Sequence, residues 1–249
     1  MRPRVEDRDL PALEAATCFV LTDSGRTLRN QAPDHGVGPR LYLGGSASGN
    51  VVRIRQDVGG EAAQALERLG ADEPPLGEAD STPVHLGAYL EILAAEAPVE
   101  RCEAGLAWVF PDRLGHDFPA AVLVSSHTPE GDRLLGQLAE KGMPTDVAAL
   151  GFVDVGELWA PWCVVLHEGG IASIAFAARL TGVSAETGVA TVPAFRGRGY
   201  AAAATAGWAS HPALRGKTLF YSTSQANVSS QRVAARLGLR FIGATLSIS

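Results

Sequence analysis

The sequence predicts an α/β protein, a mixed sheet with helices packed on its faces, and three observations carry that expectation. Runs of period-two apolar alternation and runs of helical spacing follow one another along the chain, separated by Gly and Pro clusters. In the second half strand and helix patterns alternate, the order that stacks helices against a sheet. Apolar residues make up 46% and charged residues 19% of the 249, the composition of a globular chain long enough to bury a core.

The elements read in order as follows. Leu10 to Phe19 has the spacing of a short helix that turns Leu13, Ala16 and Phe19 inward. Two alternating runs, 40–43 and 51–55, flank a Gly/Ser-rich stretch at 44–50, which reads as a hairpin. That stretch lacks the Gly-Lys-Ser/Thr ending of a phosphate-binding P-loop, so it reads as a turn. Glu61 to Leu69 is a helix closed by Gly70, and Val84 to Ala97 a second helix beyond the Pro-rich loop at 72–77. A strand at Gly105 to Phe110 leads into the polar, proline-bounded run 111–119, the best candidate for a domain boundary. Beyond it come a strand to Val124, a helix over Glu130 to Lys141 and a strand pair at 162–167 and 171–177 about Glu168-Gly169-Gly170. A strand over Thr187 to Val192, an Ala-rich helix over Tyr200 to Ala209 and a strand over Leu219 to Ser222 follow. A helix over Ser229 to Leu237 and a strand over Arg240 to Ile248 end the series. The expected organisation is a lobe over 1–118 and a second domain over 119–249.

Bulk properties exclude several functions. A net charge of -6 speaks against a nucleic-acid partner, which needs a basic face. Cys18, Cys102 and Cys163 stand far apart, and the six histidines show no paired spacing, so neither a disulfide framework nor a metal site is expected. No apolar run is long enough to span a bilayer and the N-terminus lacks a signal core, so the expectation is a cytoplasmic protein with no membrane partner.

The informative stretch is 189–208, Val-Ala-Thr-Val-Pro-Ala-Phe-Arg-Gly-Arg-Gly-Tyr-Ala-Ala-Ala-Ala-Thr-Ala-Gly-Trp. A strand runs into a loop with Gly197 and Gly199, and the loop runs straight into a helix. Glycines let backbone approach a ligand, and the first helical turn offers unpaired N–H groups and the positive end of the dipole, which suits a pyrophosphate. The alternative is a tight turn carrying solvated Arg196 and Arg198. A Rossmann fingerprint is disfavoured because Ala202 holds the third glycine's place.

Arg196-x-x-Gly199-x-Ala201, entered through Val-Pro-Ala-Phe, resembles the R/Q-x-x-G-x-G/A signature of the GNAT N-acetyltransferase superfamily. The stretch 219–239, with Asn227 before a helix and Gly238 after it, is similar to that family's second motif, and the resemblance covers about 120–249. It implies a GNAT-like, mostly antiparallel mixed sheet with helices on both faces. It also implies acetyl-CoA as co-substrate and transfer of acetyl to a primary amine of a small molecule, peptide or protein by direct attack in a ternary complex.

By that resemblance the amides of Arg198, Gly199, Tyr200 and Ala201 hold the CoA pyrophosphate, Arg196 and Gly197 shape the loop, and Val189 and Thr191 line the pantetheine arm. Asn227 contacts the CoA arm or caps its helix, and Ser230 assists or is a plain surface serine. Glu186 is the candidate general base, against an exposed loop carboxylate. The family's usual Tyr, seven residues after the Asn, is replaced by Ala234, which leaves Tyr221, Ser222 or water to protonate the thiolate. Residues 1–118 match no family motif and form either a degenerate GNAT-like lobe or a cap over the acceptor pocket, with the acceptor between the halves. A homodimer is left open. The competing readings are a non-catalytic acyl-CoA sensor and, more remotely, a nucleotide-dependent oxidoreductase.

Overall fold

The computed structural model describes residues 5–114 and 121–249, so the expected boundary at 118–119 lies outside the described residues. Helix α1 (Leu10–Cys18) opens the chain and leads into a small antiparallel pair, β1 (Phe19–Leu21) with β2 (Thr27–Asn30), which the sequence pattern did not announce. Then come the hairpin β3 (Leu41–Ser46) and β4 (Gly49–Ile54), helices α2 (Gly60–Asp72) and α3 (Leu86–Glu96), and strand β5 (Cys102–Val109). After 121 follow β6 (Val122–Ser125), α4 (Pro129–Lys141), the single turn α5 (Thr145–Ala148), β7 (Trp162–His167), β8 (Gly170–Leu180) and β9 (Ser184–Thr191). The chain ends on α6 (Tyr200–Ala209), β10 (Thr218–Ser224), α7 (Val228–Arg236) and β11 (Arg240–Ile248).

Nine strands form one sheet in the order β4-β3-β11-β5-β10-β9-β8-β7-β6. Strands from both halves of the sequence interleave in it, with β5 seated between β11 and β10. All neighbours are antiparallel except β9 and β10, which run parallel.

The sheet has two apolar faces because its strands alternate two buried sets. On one face Leu41, Leu43, Leu106, Trp108, Cys163, Val165 and Tyr221 join residues of α2, α3 and α6 and the buried Ala234 of α7 in the largest core cluster. On the other, Leu10 of α1 packs on Ala107, Val109, Phe220 and Ile242, while Leu138 of α4 and Val147 of α5 pack on Val124, Val164 and Ile174. Helix α6 sits close to the sheet because its inner residues are alanines; a Cβ on Gly207 would come 2.4 Å from Cys163 Sγ. Buried Arg40 caps the end of α3, donating to the carbonyls of Leu93 at 3.0 Å and Ala97 at 3.2 Å.

Several expectations are corrected by tertiary contacts. Gly70 does not end α2; it lies inside the helix, where a Cβ would meet Val52 Cγ2 at 2.3 Å. Gly44 and Gly45 are strand residues, and the hairpin turn is only Ala47 and Ser48. In α1 the buried set is Leu10, Pro11, Glu14, Ala15 and Thr17, so Leu13 and Ala16 are half-buried and a carboxyl faces inward instead. Among the described residues no helix is long and apolar enough to cross a membrane.

Two glycine substitutions test this packing in opposite directions. A Cβ on Gly243 would lie 2.0 Å from the Gly45 carbonyl oxygen, whereas one on Gly136, in α4, meets nothing within 4 Å. Thermal or urea unfolding should show Gly243→Ala destabilised by about 3 kcal/mol through backbone overpacking. Gly136→Ala should be stabilised by about 0.5–1 kcal/mol. Equal effects of the two would contradict the packing.

Candidate active site

The site begins where β9 and β10 stop pairing. Their parallel register runs from Ser184 opposite Thr218 to Thr187 opposite Tyr221 and ends there. Past that point 188–191 of β9 stay with β8, pinned by Ser173 Oγ, which donates to the Ala190 carbonyl at 3.0 Å and meets Thr191 Oγ1 at 2.8 Å. Ser222 to Ser224 of β10 stay instead with Ala107 to Gly105 of β5. Each strand is held by its own antiparallel partner, and a gap opens between them. Two bulges flank the parting, one at Ala178 in β8 level with Thr187, one at Ile242 in β11 level with Trp108, which itself faces Tyr221. Bulges increase local twist, so strands on either side of the last shared pair diverge.

Beyond β9 the chain turns through Gly197 (φ +77°) and Gly199 (φ +83°), both in the left-handed region that favours glycine. A side chain on Gly199 would also press to 2.8 Å from the Arg236 guanidinium. Gly199 is the N-cap of α6, without a side-chain cap, and the first helical bond runs from the Ala203 N–H to its carbonyl at 3.1 Å. The N–H groups of Tyr200, Ala201 and Ala202 therefore have no acceptor within the helix and point past its start.

A cavity of about 720 Å³ lies against this turn. Val189, Thr191, Arg196, Gly197, Gly199, Tyr200, Ala201, Asn227 and Ser230 all line it, so nine of the expected binding residues converge. Arg198 does not line it; its guanidinium sits 5.5 Å over the Phe195 ring. Arg196 Nε donates to the Thr191 carbonyl at 3.3 Å, tying the loop to the strand it leaves. The Tyr200 hydroxyl meets His167 Nδ1 at 2.9 Å. Asn227 does cap α7, accepting from the Ser230 N–H at 3.1 Å.

The cavity also holds residues that the sequence pattern did not single out, above all Arg232 and Arg236, four apart on the exposed face of α7. Among the described residues Arg196, Arg198, Arg232 and Arg236 form no ion pair with a carboxylate. Three of them, Arg196, Arg232 and Arg236, line the cavity at a helix N-terminus, an arrangement that suits a multiply charged anion. Tyr221 lines the same cavity, 1% exposed, with its hydroxyl 2.5 Å from Ser230 Oγ. Burial pushes its pKa up, so it keeps its proton. Ala234, buried one turn beyond Ser230, offers no polar group.

Glu186 lies on the other face of the sheet, in a second cleft of about 420 Å³ built from both halves of the chain. Strand β9 starts at Ser184 rather than Thr187, so Glu186 is a buried strand residue and not a loop carboxylate. Ser222 donates to its Oε1, and Cys18 Sγ stands 3.5 Å from its Oε2. Glu14 of α1 faces it, accepting from the Tyr42 hydroxyl and, at 3.4 Å, from Cys18. A carboxylate oxygen of Glu14, one of Glu186 and the Cys18 sulfur lie within 4.8 Å of one another, a grouping that the cysteine spacing gave no hint of. Burial, and then the charge of Glu186, push the Glu14 carboxyl up to about 7. Burial and both carboxylates also push the Cys18 thiol well up, so it remains a donor.

That elevation fixes a pH dependence. A carboxyl with a raised folded pKa holds its proton where the unfolded chain has lost it, so its stabilisation is complete below the unfolded value of 4.5 and is lost up to about 7. Unfolding free energy should therefore fall by roughly 3 kcal/mol as pH rises through that window, at 1.36 kcal/mol per pH unit. Glu14→Gln should flatten this part of the curve in urea titrations at a series of pH values. An unchanged slope would contradict the assignment.

Residues 146–240 match the family model described as an acetyltransferase (GNAT) domain, a span that includes β9, the glycine turn, α6, β10 and α7. No curated protein sequence matches the chain. Among solved structures, a GNAT-family protein of Novosphingobium aromaticivorans is 24% identical at a TM-score of 0.42, over 60% of this chain. The match spans 65% of that protein, just under two thirds of its length. A GNAT-family acetyltransferase of Colwellia psychrerythraea is 14% identical over 98% of this chain and 97% of its own, at a TM-score of 0.44. Diaminobutyrate acetyltransferase EctA of Paenibacillus lautus, solved with L-2,4-diaminobutyric acid and coenzyme A, is 15% identical over 53% of this chain and 96% of its own, at a TM-score of 0.33. The match to the GNAT acetyltransferase domain, over residues 146–240, thus rests on the segment that builds the turn and the cavity.

Proposed function

We propose that this chain is an N-acetyltransferase that moves the acetyl group of acetyl-CoA to a primary amine by direct attack within a ternary complex. The observation that carries it is the convergence of a bare helix N-terminus, three arginines without a carboxylate partner and an unpaired strand edge on one cavity. These residues fit CoA. The N–H groups at the start of α6 suit its pyrophosphate, and Arg232 and Arg236 suit further phosphate charge. The main chain at 189–191, unpaired toward β10, suits the amides of the pantetheine arm, as a strand edge suits an added strand.

Acetyl-CoA, when bound, supplies the acetyl group as an activated thioester. What remains for the chain is positioning and proton movement. Glu186, across the gap on the opposite face, accepts a proton from the acceptor nitrogen, whose lone pair then forms the new C–N bond as the C–S bond breaks. Tyr221 takes the role left vacant at Ala234, its hydroxyl giving a proton to the departing sulfur. The acceptor enters by the second cleft, where Glu14, Glu103 and Glu186 favour a cation and both halves of the chain form the walls.

Thiol release from acetyl-CoA with a panel of primary amines tests the reading. Glu186→Gln should lower kcat about a hundredfold to ten-thousandfold with CoA affinity kept. Gly199→Val should weaken CoA binding about tenfold to a hundredfold by blocking charge-assisted hydrogen bonds. CoA binding insensitive to Gly199→Val would overturn the cavity assignment. Tight CoA binding with no turnover on any amine would favour the acyl-CoA sensor.

A further inference from the structure

Glu14 is a buried carboxyl to which the reaction as described gives no part in proton transfer. It is 3% exposed and comes from α1, outside the residues matched to the family. The geometry ties it to Glu186 through one thiol. Cys18 Sγ stands 3.4 Å from Glu14 Oε1 and 3.5 Å from Glu186 Oε2, and a thiol has a single proton to give. The remaining donors are one per carboxyl, Tyr42 to Glu14 and Ser222 to Glu186. The charged and titratable groups around the pair are Cys18 on α1, Tyr42 on β3 with Arg53 of β4 behind it, Arg179 on β8, and Arg101 and Glu103 at the cleft wall. Arg179 is engaged with Asp34 at 2.8 Å, and among the described residues no cation pairs with Glu14 or Glu186. With no fixed cation between them, two carboxyls this close are relieved by sharing a proton.

We propose that Glu14 and Glu186 bind protons as one unit, Glu14 being a positioning residue that acts through Glu186 to make it a proton acceptor for a substrate that arrives as a primary ammonium ion. The proposal rests on Glu186 being the base. In the step an N–H bond of the ammonium breaks, its electron pair stays on nitrogen, and the proton moves to the carboxyl pair. The pair goes from two negative charges to one, and the amine is left with the lone pair it needs to attack. The neutral-range elevation of Glu14 is consistent with this, since a base is most effective when its proton affinity matches the working pH.

The pH profile of kcat at saturating acetyl-CoA and saturating amine, on the full chain, separates this from a structural role. The wild type should lose activity on the acid side with a midpoint near neutrality. Glu14→Gln should move that midpoint down by at least one pH unit, because the like charge is gone. Tyr42→Phe should move it up, because Tyr42 donates to the ionised form of Glu14 and lowers its pKa. A midpoint unmoved in both variants overturns the proposal; if Glu14→Gln does not fold, an unmoved midpoint in Tyr42→Phe alone overturns it. Loss of kcat in Glu186→Gln with no shift in either other variant leaves Glu186 as a lone base. Full activity in Glu186→Gln removes the base assignment itself.

Discussion

The rest of the site depends on two neighbouring strands ceasing to pair in the middle of a continuous sheet. A parallel pair of four residues on each strand, 184–187 with 218–221, is all that joins β9 to β10. Unpaired backbone inside a sheet is costly unless a ligand or water satisfies it, so a gap of this kind is kept open by stronger demands elsewhere. Here those demands are the antiparallel ladders to β8 on one side, bulged level with the last shared pair, and to β5 on the other, whose far edge meets the bulge of β11 at the same level. The opening is therefore a property of the whole sheet and not of a loop.

The gap lies between two clefts on opposite faces of one sheet. Residues of β9 and β10 alternate faces, so Thr187, Val189 and Tyr221 look toward α6 and α7 while Glu186 and Phe220 look toward α1. The cationic cavity and the carboxyl-lined cleft thus lie on opposite sides of the same strands, with opposite charge. In the proposed reaction phosphates would be held where helix dipole and guanidinium groups favour them, and an ammonium would be drawn to the face where two carboxyls meet. The N-terminal residues take part in both the sheet, through β3, β4 and β5, and the cleft, through Glu14, Cys18 and Tyr42.

How much of this was legible in the sequence follows from which contacts are local. Helix α6 and strand β11 fall at the residues their patterns mark, because Gly199 and Gly238 punctuate them from within the chain. The glycine turn before α6 was legible for the same reason: glycine, loop and helix start are consecutive. Glu186 was legible as a residue but not as a buried one, since Gly182-Val-Ser-Ala-Glu reads as loop until Thr218 to Phe220 pair with it across the crossover through α6. Glu14 was not legible at all, as one acid in an apolar helix looks like its solvent face until Tyr42, Cys18 and Glu186 surround it. Arg232 and Arg236 carried a weak signal, a basic pair at helical spacing, which gains meaning only once Gly199 is seen beside Arg236.

The measurement that bears most directly on this account is a crystal structure of the Glu186→Gln variant with acetyl-CoA bound. The account predicts the pyrophosphate on the N–H groups at the start of α6 and the arm running into the gap between 188–191 and 222–224. The thioester should then lie between the Tyr221 hydroxyl and the side chain at position 186. An arm that leaves the cavity along the surface, with its sulfur away from the gap between β9 and β10, would contradict it.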